Sequence, residues 1–256
     1  MMKDLHIHTT FCDGENSPEE MVVAAIRRNM DCIGFSAHSY TFFDESYCMK
    51  KEAYDSYKAE IAALKQKYGD KIKILCGIEQ DFYSDMPTSG FDYVIGSVHY
   101  LKVGNDYFSI DDAADILKDA AQKYYSGDFY ALCEDYYSTA AKIVQKTGAD
   151  IIGHFDVISK FNEQGGFFDE KNERYITAYK AAIDKLAAMG AAFEINTGAI
   201  SRGYKSAAYP SGDILSYLAE KNCKVILSSD SHSTASLCSH FDEYIKKAKD
   251  IGLEIL

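Results

Sequence analysis

The stretch Asp4-Leu5-His6-Ile7-His8-Thr9-Thr10-Phe11-Cys12-Asp13 decides how the rest of the chain is interpreted. Successive side chains of an extended strand point to opposite faces, so His6 and His8 share one face and can grip a metal ion together. Taken alone, such a pair is more often two ordinary histidines on a half-buried strand. The segment Ser229-Asp230-Ser231-His232 repeats the spacing after the apolar run Val225-Ile226-Leu227. This repetition favours a metal site.

Strands and helices alternate along the whole chain. Ser17-Pro18-Glu19-Glu20 is typical of a capping box and predicts a helix start. Further helices are expected over 51–68, 111–124, 128–147, 173–188 and 242–250, and after Pro210-Ser211. Apolar runs predict the opening strand and six others, over 32–36, 72–78, 93–98, 151–153, 192–196 and 225–227. Seven strands alternating with helices indicate a parallel sheet with right-handed crossovers, in a closed or nearly closed barrel.

Composition limits the classes of function. The 256 residues are 47% hydrophobic, and a chain of this length suits one α/β barrel domain over 1–256, with a helical excursion at about 100–149. The formal net charge of −12 disfavours nucleic-acid binding. No stretch approaches the roughly 20 apolar residues of a membrane span, so we expect a soluble cytoplasmic protein without membrane association. The seven cysteines contain no C-x-x-C pair, which argues against a disulfide framework and a thiolate zinc site.

Metal-type side chains stand at the ends of six of the seven predicted strands. Parallel barrels gather functional side chains at the carboxyl ends of their strands, so residues far apart in sequence should converge on one face. His240 falls elsewhere and is expected to be an ordinary surface or helix-start residue. The expected metal ligands are His6, His8, Asp13, His38, Glu79, His99, His154, Asp230 and His232.

These nine side chains exceed the roughly four to six ligands that one ion takes, so two or three divalent ions are expected. Imidazole and carboxylate donors without thiolate fit Zn, Mn or Fe, and do not choose among them. Three divalent ions would outweigh the charges of Asp13, Glu79 and Asp230. The site would therefore be cationic within an acidic protein, as a phosphate dianion requires.

The order of these ligands resembles the PHP (polymerase and histidinol phosphatase) superfamily of metallophosphoesterases. The family pattern is His-x-His with a following Asp, then single His, Glu, His and His residues at strand ends, and a final Asp-x-His. The segments Gly96-Ser97-Val98-His99-Tyr100, Gly153-His154-Phe155-Asp156, and Glu194-Ile195-Asn196-Thr197 with Arg202 and Tyr209-Pro210-Ser211 further resemble its histidinol-phosphate phosphatase branch. One departure is Ala37, because many members have an acidic residue before the equivalent of His38.

The resemblance implies a distorted seven-stranded (β/α)7 TIM-like barrel with a trinuclear metal centre. One ion would be held by His6, His8, Glu79 and Asp230, a second by Glu79, His99 and His154, and a third by Asp13, His38 and His232. The implied reaction is hydrolysis of L-histidinol phosphate to L-histidinol and phosphate in histidine biosynthesis, by attack of a hydroxide that bridges the ions.

Residues outside the ligand set carry further expectations. Arg202 is the best phosphate-binding candidate, because a guanidinium grips phosphate oxygens bidentately, and it joins Glu79 and Asp230 as an expected catalytic residue. Lys160 is a second substrate-binding candidate. The alternative for either cation is a solvated loop residue.

The acid that protonates the leaving group stays open between a metal-bound water and Asp156. Asp156 and Glu163 are expected to receive a cationic amine or imidazole. The tyrosines of the excursion at 100–149 are expected to form helix core rather than a substrate wall. The oligomeric state is not predicted.

Three other functions compete with this interpretation. A PHP phosphoesterase acting on nucleotides or other phosphoesters would share every ligand. A C–N hydrolase on a related barrel would usually show a metal-bridging lysine, and no lysine ends a predicted strand. A catalytically inactive binding module should have lost at least one ligand, and none is missing.

Overall fold

The computed structural model describes residues 2–256, and its centre is a curled sheet of eight parallel strands. In sheet order the strands are β1 (Lys3–Asp4), β2 (Cys32–His38), β3 (Lys73–Asp81), β4 (Tyr93–Ser97), β7 (Ile151–Ile152), β8 (Ala192–Asn196), β9 (Lys224–Ser228) and β10 (Glu254–Ile255). Strands β5 (Tyr100–Val103) and β6 (Asp106–Ser109) form a separate antiparallel hairpin. The parallel order puts the carboxyl ends of the eight strands at one edge of the sheet.

The predicted seven-stranded barrel is wrong in its strand count and its closure. An eighth strand, β10, pairs with the start of β9. On the other side, β1 pairs only with β2, and the two sides of the curl meet at a single bridge between Ile7 and Ser231. A side chain replaces the missing ladder here, because the carboxylate of Asp4 accepts a hydrogen bond of 3.1 Å from the backbone N–H of Ser229. The sheet is therefore a curled half-barrel.

Ten α-helices occupy the connections between the strands in the described part of the chain. They are α1 (Pro18–Arg27), α2 (Tyr54–Tyr68), α3 (Ala114–Tyr125), α4 (Phe129–Ala140), α5 (Ile143–Thr147), α6 (Asn162–Gly165), α7 (Glu173–Ala187), α8 (Gly198–Ser201), α9 (Gly212–Glu220) and α10 (Phe241–Asp250). The predicted capping box is confirmed, since Ser17 and Glu20 bond each other's backbone N–H groups. His240 is the residue before α10, as expected for a helix-start position. Within 2–256, no helix is both long and apolar enough to cross a membrane.

The excursion after β4 departs from the two predicted helices. It begins with the β5–β6 hairpin and continues as α3, α4 and α5, so the helix predicted over 128–147 is broken after Ala140. The hairpin has a sequence signal, because apolar and polar residues alternate on both sides of Gly104, whose φ is +62°. Tyr136 and Tyr137 are buried, as the core interpretation of the tyrosines predicts.

The inside of the curl is filled below the site by a small apolar cluster. Its residues come from strands on both sides of the sheet, including β2, β4 and β9, which are not neighbours, so they meet inside the curl. Tyr93 ties the cluster together, since its hydroxyl donates to the carbonyls of Leu5 (2.5 Å) and Phe35 (2.9 Å). A Cβ on Gly77 would lie 2.3 Å from the Tyr93 ring, so glycine is needed there. The cluster comprises Leu5, Cys32, Tyr93, Ile95, Ile151 and Ile226.

Candidate metal centre

All nine predicted ligand side chains converge at the carboxyl edge of the sheet. Strand β2 ends at His38 and β3 carries Glu79 near its end. The others lie in the connections that follow β1, β4, β7 and β9, and these are His6, His8, Asp13, His99, His154, Asp230 and His232.

Glu79 is at the centre of the group, fully buried. Its Oε2 lies 2.7 Å from Nδ1 of His38 and 3.2 Å from Nε2 of His6. Its Oε1 lies 2.9 Å from Nε2 of His154 and 3.2 Å from Nε2 of His99. Oε2 also lies 3.6 Å from Nε2 of His8. The two carboxylate oxygens thus face different sets of imidazoles, which is the arrangement that a carboxylate bridging two ions requires.

A second carboxylate completes the inner group. Oδ1 of Asp230 lies 3.2 Å from Nε2 of His8 and 3.8 Å from Nε2 of His6. His6 and His8 therefore both stand between Asp230 and Glu79, as the spacing of the two histidines on one strand face predicts.

An outer group lies closer to the surface. Oδ2 of Asp13 is 3.2 Å from Nε2 of His232 and 3.7 Å from Nε2 of His38, and Oδ1 is 3.7 Å from Nδ1 of His8. Ligand atoms of these four residues all fall within 4.8 Å of one another.

The donor set suits metal ions. Nε2 of His6, Nε2 of His8 and Oε2 of Glu79 are buried, and although other ligand atoms lie close to them, none of the three makes a hydrogen bond of suitable geometry within residues 2–256. Buried polar atoms nearly always have a partner, so three orphans crowded together indicate a bound group that supplies one. Imidazole nitrogens and carboxylate oxygens are ligands of Zn, Mn and Fe. The cluster is suited to binding several divalent metal ions.

Electrostatics keeps two of these donors, Glu79 and His8, in their metal-binding forms. At His6, His38 and His99 burial lowers the pKa, but the nearby carboxylates outweigh it and raise the pKa above its usual value. Burial would raise the pKa of Glu79, but His38, His6 and His99 outweigh it and hold that pKa well below its usual range. The pKa of His8 is lowered to about 3, by burial first and then by the charges of His232 and His38. An ionised carboxylate and a neutral imidazole are the forms that ligate.

Two carboxylates that were not among the predicted site residues orient these ligands. Oε1 of Glu194 lies 2.7 Å from Nδ1 of His6, and its Oε2 accepts the backbone N–H of His154 at 3.0 Å. Oδ2 of Asp81 lies 3.3 Å from Nδ1 of His99. Such partners fix the ring orientation of metal-binding histidines. The signals were an acid inside the apolar run of β8 and an acid two residues after Glu79.

Cys12 also lies in this group, with Sγ 3.5 Å from Nδ1 of His8. Burial, followed by the charge of Asp13, raises the pKa of its thiol to about 12. The thiol therefore stays protonated in this setting, which agrees with a donor set of imidazoles and carboxylates. Ala37, the departure from the family pattern, leaves His38 without an acidic neighbour in sequence, yet Glu79 contacts His38 directly.

A cavity of about 300 Å³ opens beside the cluster, and both predicted phosphate-binding cations line it. Arg202 donates to the carboxylate of Asp230 at 3.0 Å and to its backbone carbonyl at 2.9 Å. Lys160 donates to the backbone carbonyl of Asp111 at 2.6 Å, with the carboxylate of the same residue at 3.6 Å. Cationic and anionic groups therefore share the cavity wall.

The expected roles of Asp156 and Glu163 do not agree with the structure. Among the described residues, the acids that line the cavity outside the ligand set are Asp44, Asp111 and Asp112. Asp156 is 0% exposed and accepts the backbone N–H of Ser211 at 2.9 Å. Glu163 is exposed and accepts the backbone N–H of Ser206. Neither acid is placed to contact a substrate in the cavity.

Comparison with known proteins agrees with this arrangement. The PHP domain family matches residues 4–198. A Deinococcus radiodurans protein named probable histidinol-phosphatase is 28% identical over 260 residues, which cover 97% of this chain and 93% of that protein. The hisK protein of Listeria monocytogenes has a similar structure, with a TM-score of 0.82, 20% identity, and coverage of 94% of this chain and 99% of its own.

A further solved structure carries ligands. It is histidinol phosphate phosphatase from Lactococcus lactis subsp. lactis complexed with zinc, L-histidinol and phosphate, with a TM-score of 0.73 and 23% identity. The alignment covers 100% of this chain and 95% of that one. The fold agrees with the family match, which covers most of the described residues. The chain belongs to the PHP domain family.

Proposed function

We propose that this chain is a metal-dependent phosphatase that hydrolyses L-histidinol phosphate to L-histidinol and phosphate, a step of histidine biosynthesis. The observation that carries the proposal is the position of Glu79, whose two oxygens face separate sets of imidazoles beside a cavity that Arg202 lines.

The proposed ligand sets are those that the PHP resemblance implies. The close approach of these side chains supports them, with His38 lying between the second and third sets, 2.7 Å from Glu79. His6, His8, Glu79 and Asp230 would hold one ion, Glu79, His99 and His154 a second, and Asp13, His38 and His232 a third. When bound, divalent ions supply a nucleophile at neutral pH and positive charge for the phosphoryl oxygens. The ligands run from His6 to His232, which supports the prediction that residues 1–256 act as a single domain.

The protein's own cations would hold the phosphoryl group. Arg202 uses part of its guanidinium on Asp230, and its Nη1 also lies 3.0 Å from Nδ1 of His232. The remaining N–H groups of the guanidinium would bind phosphate oxygens. Lys160 would add a second positive charge to the same cavity. Asp156 is not proposed as the leaving-group acid, because it does not line the cavity.

Three observations support this substrate. The relatives named above as histidinol-phosphatases align over most of their own length, and the Lactococcus lactis protein binds L-histidinol and phosphate with zinc. In addition, Asp44, Asp111 and Asp112 supply negative charge to the cavity, which favours a phosphate ester whose alcohol carries a positive charge.

A phosphate-release screen tests the proposal. Protein loaded with Zn, Mn or Fe would be assayed on histidinol phosphate, sugar phosphates and nucleotides, with chelated protein as the control. We expect the highest kcat/KM on histidinol phosphate and no turnover after chelation. A higher kcat/KM on nucleotides or sugar phosphates would refute histidinol phosphate as the preferred substrate, but the proposed phosphatase activity would stand. No phosphate release from any substrate would refute both.

A further inference from the structure

A buried tyrosine at the cavity wall has a hydroxyl without a partner. Tyr209 lines the cavity together with Arg202 and His154, and only 1% of the residue is exposed. Its hydroxyl makes no hydrogen bond to any residue that the structure describes. Leaving such a group unpaired costs stability, so an unpaired hydroxyl at a binding cavity indicates a partner that arrives with the ligand.

The tyrosine is held in place by its backbone and its ring. Its N–H donates to the carbonyl of Asn196 at 2.9 Å, and its carbonyl accepts the N–H of Asn196 at 2.7 Å, which fixes it at the end of β8. The ring lies edge-on to His154, with centroids 6.3 Å apart, and Nζ of Lys205 is 5.1 Å from the ring centroid. The hydroxyl therefore has little freedom to find another partner within the fold.

The surroundings define what the hydroxyl can bind. Burial and the charges of Asp156 and Asp111 raise the pKa of the phenol well above its usual value, while Arg202 opposes them. The phenol therefore keeps its proton and acts as a donor. Arg202 and Asp111 both line the cavity, so the phenol lies within electrostatic range of the cavity charges. The fitting partner is an oxygen that accepts hydrogen bonds, next to the cation of Arg202.

We propose that the hydroxyl of Tyr209 donates a hydrogen bond to a phosphoryl oxygen that Arg202 also holds. This inference rests on the phosphatase function proposed above and adds a substrate-binding residue to it. The competing partner is a buried water that bridges the hydroxyl to Oδ1 of Asp156, another buried atom without a partner among the described residues.

The variant Tyr209→Phe separates the two partners, because it removes only the hydroxyl. The metal-loaded variant would be compared with wild type in its inhibition constant for inorganic phosphate, its kcat/KM, and its Tm without phosphate. We expect the inhibition constant to rise and kcat/KM to fall by roughly tenfold or more, as for a lost hydrogen bond to a charged group. The Tm should stay the same or rise, since phenylalanine leaves no unpaired hydroxyl.

Tyr136→Phe is the matched control. Tyr136 is equally buried, but its hydroxyl donates to the carbonyl of Phe155 at 3.0 Å. Its removal should lower Tm and leave the inhibition constant for phosphate unchanged. A lower Tm in Tyr209→Phe, together with an unchanged inhibition constant for phosphate, would overturn the inference and favour the buried water.

Inorganic phosphate is the probe, so the result does not depend on which phosphomonoester is hydrolysed. If wild type hydrolyses phosphomonoesters and Tyr209→Phe has the same inhibition constant for phosphate as wild type, only the role of Tyr209 is overturned. Wild-type protein that binds no phosphate in its metal-loaded form would overturn this inference and the phosphatase proposal together.

Discussion

Arg202 holds Asp230 through two hydrogen bonds, one to the side chain at 3.0 Å and one to the backbone carbonyl at 2.9 Å. Asp230 has a φ of +50°, which residues other than glycine rarely adopt, and both bonds support that conformation. Burial would raise the pKa of Asp230, but Arg202 and His6 outweigh it and keep that pKa well below its usual range. The proposed phosphate-binding arginine therefore also positions a proposed metal ligand.

Arg202→Ala should consequently have two effects. Losing a charge-assisted contact to phosphate should lower kcat/KM on the order of ten- to hundred-fold and raise KM. Losing the support of Asp230 should also reduce bound metal, measured by elemental analysis after equilibration with a limiting metal concentration. Arg202→Lys keeps the positive charge, so it should recover part of the lost kcat/KM. It should recover a smaller part of the lost metal content. Normal metal content in Arg202→Ala would mean that the arginine acts on phosphate alone.

Glu79→Gln should damage the site more severely. A neutral amide is a poor bridge between two ions, so kcat and metal content should both fall further than in Arg202→Ala. Glu163→Gln is the control for the same chemical change, because Glu163 is exposed and outside the cavity. A fully metallated and active Glu79→Gln protein would show that this carboxylate does not bridge.

Metal removal should occur in steps. The side chains of Asp13, His232 and His38 are 31%, 23% and 11% exposed, whereas those of His6 and Glu79 are 0% exposed. A chelator should therefore reach the outer ligand set first. Titration with increasing chelator, followed by desalting and elemental analysis, should show one equivalent lost before the rest. Loss of all metal in a single step would contradict this order.

Arg28 should stabilise the outer set from a distance. Its guanidinium donates to the backbone carbonyls of Leu237 (2.6 Å), Ala235 (2.9 Å) and Thr234 (3.0 Å), in the loop that follows His232. Arg28→Ala should loosen this loop, so the first equivalent should leave at a lower chelator concentration than in wild type. Arg27→Ala, an exposed arginine on the same helix, is the control and should behave as wild type. If both variants release the first metal equivalent at the same chelator concentration, Arg28 does not have this role.

The convergence of the nine proposed metal ligands could be predicted from sequence because parallel strands fix where their ends lie. Any side chain at the end of β2 or β3 must reach the same edge, whatever the intervening loops do. Asp156 could not be placed in this way. It lies two residues after His154 but begins a short 3-10 turn, with φ of −113° and ψ of 33°, so the alternation of an extended strand does not apply.

The remaining differences have a similar cause. Strand β10 has two residues, too few for any periodicity, and exists only because β9 offers a free edge. Whether the sheet closes depends on how Asp4 contacts Ser229, a tertiary contact across 225 residues that no local pattern encodes. Glu194 and Asp81 did have a sequence signal, as acids on or next to strand faces that carry ligands.

Asp44→Asn should change substrate preference more than it changes stability of the site. The carboxylate of Asp44 accepts hydrogen bonds from Tyr100 (2.6 Å) and the backbone N–H of Ser46 (3.0 Å). Burial would raise the pKa of Asp44, but these bonds lower it below its usual value, so the carboxylate stays ionised from about pH 5 to 8. It lines the cavity and is not a proposed metal ligand. A cationic alcohol should therefore bind less well to the variant.

The KM for histidinol phosphate should rise on the order of tenfold in Asp44→Asn, as for a lost charge-assisted contact, with metal content unchanged. The KM for p-nitrophenyl phosphate, whose alcohol carries no positive charge, should change little. Because the carboxylate is already ionised at pH 5, Asp44 itself adds no pH dependence between pH 5 and 8. A change in the ratio of the two KM effects over that range would report the titration of the substrate's imidazole, whose usual pKa is about 6.5. Glu163→Gln serves again as the control, since that acid lies outside the cavity. If both variants raise the KM for histidinol phosphate equally, or if Asp44→Asn affects both substrates alike, Asp44 does not recognise the cationic alcohol.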